Sequence, residues 1–406
     1  MSLTSFDFIV VGQGLAGTAL AWSLMWSGSR VLVIDRNSPV TSSKIAAGLI
    51  TPITGQRLVK SWRLDELWPA AVQFYRRVEQ ATGTALFRER SMVRLLATDG
   101  EAEFLQLRRQ SLEFLALIRE PQPPLDSRAF ATERGGFEMP CAGQLDVPHY
   151  LNVSRETFLC DGGFVTVSLD PERDLVLNDN RVSIPRLGVH ARRLIFCEGA
   201  ALTSNPWFRG VVLKPAKGEI LTVRIPGLTE ERVVHRGVWL VPLGTVTQQL
   251  PEFPSCSLPS AGRVREGGRV ANQLDLPPPS PALPAKGREE SRGKREMVSL
   301  RILGNELFRV GSTYEWQQLD NRPTSQGRDE ITAKLREFLR LPFEVLEHQA
   351  AVRPIHRNQY PVLGLHPEHN QLGYFNGLGS KGTLHAPYFA SQLTRQLGGR
   401  PDATAD

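Results

Sequence analysis

Three glycines near the N-terminus, Gly12-x-Gly14-x-x-Gly17, constrain this chain more than any other feature. They directly follow residues 7–11, a short apolar stretch rich in β-branched side chains that reads as a buried strand. Residues 16–27 then read as a helix ended by Gly28, and residues 30–34 as a second buried strand with Asp35 at its end. Strand, tight turn, helix and strand within about 30 residues make a βαβ unit, with a parallel pair and a right-handed crossover. Each glycine has its own physical reason. Gly12 permits the turn, Gly14 lets the backbone approach a pyrophosphate, and Gly17 lets the helix lie close to the strand. Leu15 and Ala16 open the helix, whose free N–H groups suit a phosphate. The Asp35 carboxylate, with Arg36 beside it, can accept hydrogen bonds from a ribose. The unit predicts a dinucleotide site and does not by itself separate FAD from NAD.

A chain of 406 residues exceeds one small core, so two interleaved lobes are expected. The formal charge is +6, but no run of five or six basic residues appears. That scatter describes a solvated surface, and a nucleic-acid partner is not expected. The four cysteines, Cys141, Cys160, Cys197 and Cys256, form no CxxC pair and no zinc-like spacing. A reducing compartment with no structural metal and no disulfide framework follows. Residues 8–25 are apolar but interrupted by Gly12, Gln13, Gly14 and Gly17 and lack a basic lead-in, so they fail as a signal peptide or a span. A cytoplasmic protein without a membrane partner is predicted.

Residues 61–82 and 101–119 carry helical periodicity, through Leu64, Leu67, Trp68, Ala71 and Val72 and then Phe104, Leu105, Leu107, Leu112 and Leu115. Residues 150–159, 329–339 and 382–397 read as further helices, and residues 193–196, 219–225, 238–243 and 307–314 as strands. Between Val246 and Leu300 periodicity is lost to Pro, Gly, Ser and Arg, which cannot bury enough surface to offset chain entropy. This stretch reads as a disordered insertion of no catalytic role, splitting a hairpin between Leu243 and Leu307.

Several further segments carry a resemblance. Ser42-Ser43-Lys44-Ile45-Ala46-Ala47-Gly48-Leu49 is a small-residue run that would let backbone lie against a flat ring. Val352-Arg353-Pro354 precedes Tyr360-Pro361-Val362-Leu363-Gly364. Asn376-Gly377-Leu378-Gly379-Ser380-Lys381-Gly382-Thr383-Leu384-His385-Ala386-Pro387 leads into the last helix. With residues 143–148, Gly163-Phe164-Val165, Cys197-Glu198-Gly199-Ala200 and Lys217-Gly218-Glu219, the chain resembles the FAD-dependent amino-acid oxidase family, which includes D-amino-acid oxidase, glycine oxidase and sarcosine oxidase. The likeness runs over nearly the whole chain apart from the insertion. It departs from the family pattern at Ile355-His356-Arg357-Asn358, where a small or hydroxylated residue and an Asp are usual.

The resemblance implies an α/β fold: a Rossmann-like FAD-binding domain (residues 1–60, 140–212 and 345–400) interleaved with an α+β substrate domain of mixed or antiparallel sheet (61–139 and 213–344), with 246–300 as the insertion. It implies non-covalent FAD held by Gly12, Gly14, Leu15, Ala16, Gly17, Asp35, Arg36, Ser42, Ala46, Ala47, Gly48, Leu49, Val165, Glu198, Gly199, Gly377, Gly379, Ser380, Gly382 and Thr383. It assigns Arg353 to the substrate carboxylate, since a guanidinium offers two parallel donors, and Lys381 to the flavin edge. The expected reaction is oxidation of the C–N bond of an amino acid or small amine by hydride transfer, with oxygen or an electron-transfer partner as final acceptor. Arg57, Trp62, Tyr314, Trp316, His356 and His385 are further candidates for the pocket. Two alternatives stay open: flavin-dependent modification of a wobble uridine in tRNA, and a flavoprotein without catalysis.

Overall fold

A computed structural model of the chain describes residues 3–243 and 306–398. Thr4–Val11 and Val31–Asp35 pair in parallel with the helix Leu15–Trp26 between them, which is the expected βαβ unit. The sheet grows from that pair in both directions. Phe164–Thr166 joins Val31–Asp35, and Val189–Phe196 joins Thr4–Val11, both in parallel. The far side of Val189–Phe196 is shared: Leu372–Asn376 runs parallel along its C-terminal half, and Arg181–Ile184 antiparallel along its N-terminal half. Val176–Asn178 and Val362–Leu365 complete eight strands. All five parallel strands therefore end on one edge, at Val11, Asp35, Thr166, Phe196 and Asn376. Ligands of open α/β sheets bind beyond that edge.

The first helix has no polar face; every residue from Leu15 to Leu24 is buried. Such a helix must be covered on all sides. It lies on the sheet, against the last helix, Gly382–Gln396, and against Val147–Cys160, where Trp22 Nε1 donates to Ser154 Oγ at 2.9 Å. Its approach to the sheet depends on Gly17, because a Cβ there would stand 1.8 Å from the Gly12 carbonyl oxygen. Phe8, Val10, Leu20, Leu24 and Val33 fill the interface. Each such burial stabilises by roughly 1.5–3 kcal/mol.

A second sheet has seven strands, in the order Glu344–Arg353, Ala216–Arg224, Leu307–Gly311, Val238–Pro242, Val233–Arg236, Met92–Leu95 and Gly136–Met139. Only the contact of Val233–Arg236 with Met92–Leu95 is parallel. Side chains alternate between faces along a strand, and partners in register share a face. One face carries Val93, Leu221, Val234, Leu240, Phe308 and Val310, packed on Ile331 and Leu335 of the helix Ser325–Arg336. The registers place Ile220, Gly311, Trp239, His235 and Arg94 in one row on the other face. Two residues along their strands, Gly218, Ala351 and Arg309 share it, as does Arg353 four residues along. This second face meets the first sheet's loops: Ile220 and Ala351 pack on Ile45, and Arg309 Nη1 donates to the Ala46 carbonyl at 3.1 Å.

The structure corrects one helix. Residues 101–119 do not form a single element; Asp99–Arg109 ends before Ser111, and a single turn, Leu112–Leu115, follows. Ser111 takes an extended conformation, in keeping with serine's preference for helix starts. Leu105, Phe114, Leu117 and Ile118 of this stretch enter the main core, while Leu107 and Leu115 stay exposed and Leu112 is 85% exposed. The insertion at 246–300 lies outside the described residues. The strands flanking it pair antiparallel, from Trp239 opposite Gly311 to Pro242 opposite Phe308, as a hairpin does.

Two glycine replacements separate contact from conformation. Gly17→Val is expected to lose about 2–3 kcal/mol or more through overpacking against Gly12. Gly162→Ala meets no atom within 4 Å and surrenders only the ease of a φ of +65°, about 1 kcal/mol. Urea titrations followed by circular dichroism check the order.

Candidate active site

Beyond the edge where the parallel strands end, the chain forms a continuous cavity of about 850 Å³. Gly12, Gly14, Leu15 and Ala16 make one wall, Asp35 and Arg36 the next, and Glu198 and Gly199 a third. Gly12 has a φ of +101°, and a Cβ on it would lie 2.5 Å from the Cys197 carbonyl oxygen, so glycine is required. Two long helices begin here, at Leu15 and at Gly382, and they touch: a Cβ on Gly382 would come within 2.9 Å of the Leu15 side chain. Their N-termini bring two partial positive charges to one groove. Asp35 accepts the Gln13 and Asn37 backbone N–H groups, each at 2.7 Å. A carboxylate has about four acceptor positions, so room remains for a ribose. Arg155 braces this corner through Gln13 Oε1 at 2.8 Å and Asn37 Oδ1 at 2.8 Å. Burial raises the pKa of Glu198, opposed by a hydrogen bond from Asn205 and by the charge of Arg36.

Residues 42–50 cross the middle of the cavity, where Ser42, Ala46, Ala47, Gly48 and Leu49 all line it. Gly48 has a φ of +71°, and a Cβ on it would overlap the Leu145 carbonyl oxygen at 1.9 Å. Ser43 is closest to the first helix: its hydroxyl accepts the Leu15 N–H at 3.1 Å. At the opposite end, Gly379 N donates to the Pro354 carbonyl, and Ile355 pairs with Leu378. These contacts tie the segment after Arg353 to the start of the last helix, so Arg353 and Lys381 reach the cavity at one corner.

Arg353 is held by three consecutive residues. Nη2 donates to Ser312 Oγ at 2.6 Å, Nη1 donates to the Thr313 carbonyl at 3.2 Å, and the Tyr314 ring lies 4.6 Å beneath the guanidinium. Gly218 makes the space, since a Cβ there would sit 1.9 Å from Nη2. No carboxylate lies within ion-pair distance of Arg353 among the described residues, and burial lowers its pKa. The segment 313–324 is itself fastened from behind. Lys217, fully buried, pairs with Asp320 at 2.7 Å, and Glu219 accepts the Thr324 N–H and hydroxyl at 2.9 and 2.8 Å. Lys381 donates to Ser61 Oγ at 3.2 Å, and burial lowers its pKa too.

The remaining expected residues divide by position. Gly379, Ser380, Gly382 and Thr383 line the cavity beside Lys381. Gly17 and Gly377 serve backbone geometry, the latter with a φ of +74°. Val165 packs against the core behind the sheet edge and is off the lining, and Val167, Ser168 and Leu169 line the wall there instead, because the chain leaves the sheet after Thr166. The lining ends at Gly55, short of Arg57. Trp62 packs on Tyr360 and Phe389, and Trp316 stacks on Tyr314 in solvent. His356 and His385 lie off the lining. Ser312, Thr313 and Asp320 carried no sequence signal, and Ser43 and Lys217 stood inside quoted motifs without a role.

A Gly-rich strand-to-helix turn, an acidic residue ending the next strand and a second sheet closing the cavity define a dinucleotide-dependent oxidoreductase. The family model for the FAD dependent oxidoreductases named DAO matches residues 7–396, and the chain belongs to that family. The bifunctional protein ThiO/ThiG of Trichormus variabilis is 24% identical over 269 residues, 58% of this chain and 38% of that relative, so the chain spans well under half of its length. Glycine oxidase from Geobacillus kaustophilus superposes with a TM-score of 0.67 at 18% identity, covering 99% of this chain and 97% of that one. Iminodiacetate oxidase from Chelativorans sp. BNC1 gives 0.65 at 16% identity, with 98% of each chain covered. The cofactor is FAD, and the cavity fits it: two helix N-termini, a ribose-side carboxylate and a small-residue strip lie along one groove. No helix among the described residues is long and apolar enough to cross a membrane.

His385 supplies a pH test. It is buried in the last helix, neither ring nitrogen has a hydrogen-bond partner among the described residues, and burial, helped by Lys381, lowers its pKa from 6.5 to about 3. Between those values the unfolded chain binds a proton that the folded chain does not, so stability is lost as pH falls through the window. His385→Leu is expected to recover about 2 kcal/mol of the loss between pH 7 and pH 4.5. Urea midpoints of both proteins at the two pH values measure it.

Proposed function

We propose that this oxidoreductase oxidises the C–N bond of an amino acid, with Arg353 binding the substrate carboxylate. One observation carries the reading: a guanidinium partly buried at the cavity wall, with no acidic partner among the described residues. A buried charge left unpaired is costly, and a ligand carboxylate is the group that relieves it. Two of the relatives' names, glycine oxidase and iminodiacetate oxidase, agree with small amino and imino acids as substrates.

Bound FAD supplies a two-electron acceptor for the hydride that leaves the substrate carbon. The chain does the rest. Arg353 offers parallel donors to the carboxylate, and the Ser312 hydroxyl, Thr313 carbonyl and Tyr314 ring fix its plane, so the substrate is oriented before reaction. The Ala46–Gly48 strip and the second sheet line the cavity around that position. The N-terminus of Gly382–Gln396 and Lys381 hold positive potential at the same corner, which favours arrival of negative charge. Loss of the hydride and of the amine proton leaves an imine, which water hydrolyses to an oxo acid and ammonia or a smaller amine. Oxygen or an electron-transfer partner takes the electrons onward.

The purified holoprotein is expected to show flavin absorbance, and anaerobic glycine, sarcosine, proline, iminodiacetate or a D- or L-amino acid to bleach it. Arg353→Met should reduce kcat/KM for the bleaching substrate by roughly 30- to 1,000-fold, most of it in KM. Equal kcat/KM in the two proteins would remove Arg353 from the substrate.

A further inference from the structure

A second guanidinium, this one buried, opens on the same cavity, far from Arg353. Arg94 is 5% exposed and lines the cavity together with His235, its register partner on the neighbouring strand. Nη2 donates to Glu101 Oε1 at 2.7 Å, but Nε is buried without a partner, and Nη1 makes no hydrogen bond among the described residues. Glu101 therefore compensates the charge of Arg94 and leaves most of its five N–H donors unused. Between Arg94 and Arg353 the wall carries Trp239 and Ile220, while Met92 on Arg94's own strand and Met139 on the edge strand beyond it make the Arg94 end apolar as well. The two arginines stand on strands five steps apart in the sheet, about 24 Å along it at about 4.8 Å per step. An acid of two carbons held on Arg353 cannot reach Arg94.

We infer that the Arg94 and His235 end of the cavity is a second anchor, for a substrate that carries a carboxylate at the end remote from its amino acid group and an apolar stem between the two. This rests on Arg353 as the first anchor. The surroundings agree at each point. Arg94 is preorganised by Glu101, whose other oxygen accepts the Ala97 N–H at 2.8 Å. His235 stands next in the same row and Trp239 beyond it, so donors and an apolar surface follow one another along one sheet face.

The test uses the FAD-loaded protein and reads ligand binding from the shift of the flavin spectrum. The ligands are the linear dicarboxylates from succinate to sebacate, each set against the monocarboxylate of equal carbon number. At one matching length the dicarboxylate is expected to bind about 10-fold or more tightly than its monocarboxylate. The double variant Arg94→Met, Glu101→Gln removes both charges and so leaves no orphaned carboxylate; it should bring that ratio to about one. Arg94→Lys, which keeps a charge beside Glu101 but loses the planar fork, should cut the ratio several-fold and covers the case of a double variant that does not fold. A wild-type protein with no dicarboxylate preference at any length, or a preference that survives both variants, overturns the second anchor. Arg353→Met separates the two readings: if it leaves monocarboxylate binding unaltered, the first anchor is the one that fails.

Discussion

The contact of the first helix with its own entry turn sets the geometry of everything downstream. Gly17 lies so close to the Gly12 carbonyl that no side chain fits between them. That approach brings the helix N-terminus to the sheet edge, and Gly382 brings a second helix start against Leu15. The same device recurs wherever the cavity is narrow. Gly48 lies on the Leu145 carbonyl, and Gly218 lies under Arg353. The site is thus shaped by missing side chains as much as by present ones, with the polar groups placed around gaps that only glycine leaves open.

Cations dominate the electrostatics of the cavity. Arg353 and Lys381 are partly buried on its wall without carboxylate partners among the described residues, and both have pKa values lowered by desolvation. Arg309 behaves alike behind the Ala46 strip, where it is held by backbone carbonyls. Desolvating such groups opposes folding, so anionic ligands that reach them stabilise the folded state by mass action as well as being bound. Lys217 and Glu219 show the contrasting solution on the opposite face of the second sheet, where charge is buried with its partners in place.

What the sequence disclosed follows from how local each feature is. The βαβ unit is legible because its glycines, helix and acidic residue lie within one short span, each with a separate steric or electrostatic reason. Arg353 and the 376–387 loop were found through resemblance, since nothing in their own spacing says that they meet at one corner. Ser312 and Thr313 left no trace, because their role is to hold an arginine some forty positions away in sequence. Arg94 and His235 are further out of reach: they become neighbours only through the pairing of two strands separated by more than a hundred residues. The apolar residues Leu107, Leu112 and Leu115 misled in the other direction, since periodicity reports a possible face and not whether anything covers it.

The split hairpin has a consequence for how such a chain can vary. Leu243 N still donates to the Leu307 carbonyl at 2.9 Å, so the backbone leaves and re-enters the sheet at adjacent strand ends. Closing a longer path between two fixed points grows only logarithmically in entropy, about 0.6 kcal/mol for each doubling of length. The stretch between these ends can therefore lengthen or shorten almost freely while Trp239 stays opposite Gly311. Evolution is given a place to change the chain without disturbing the register that aligns the cavity-facing row.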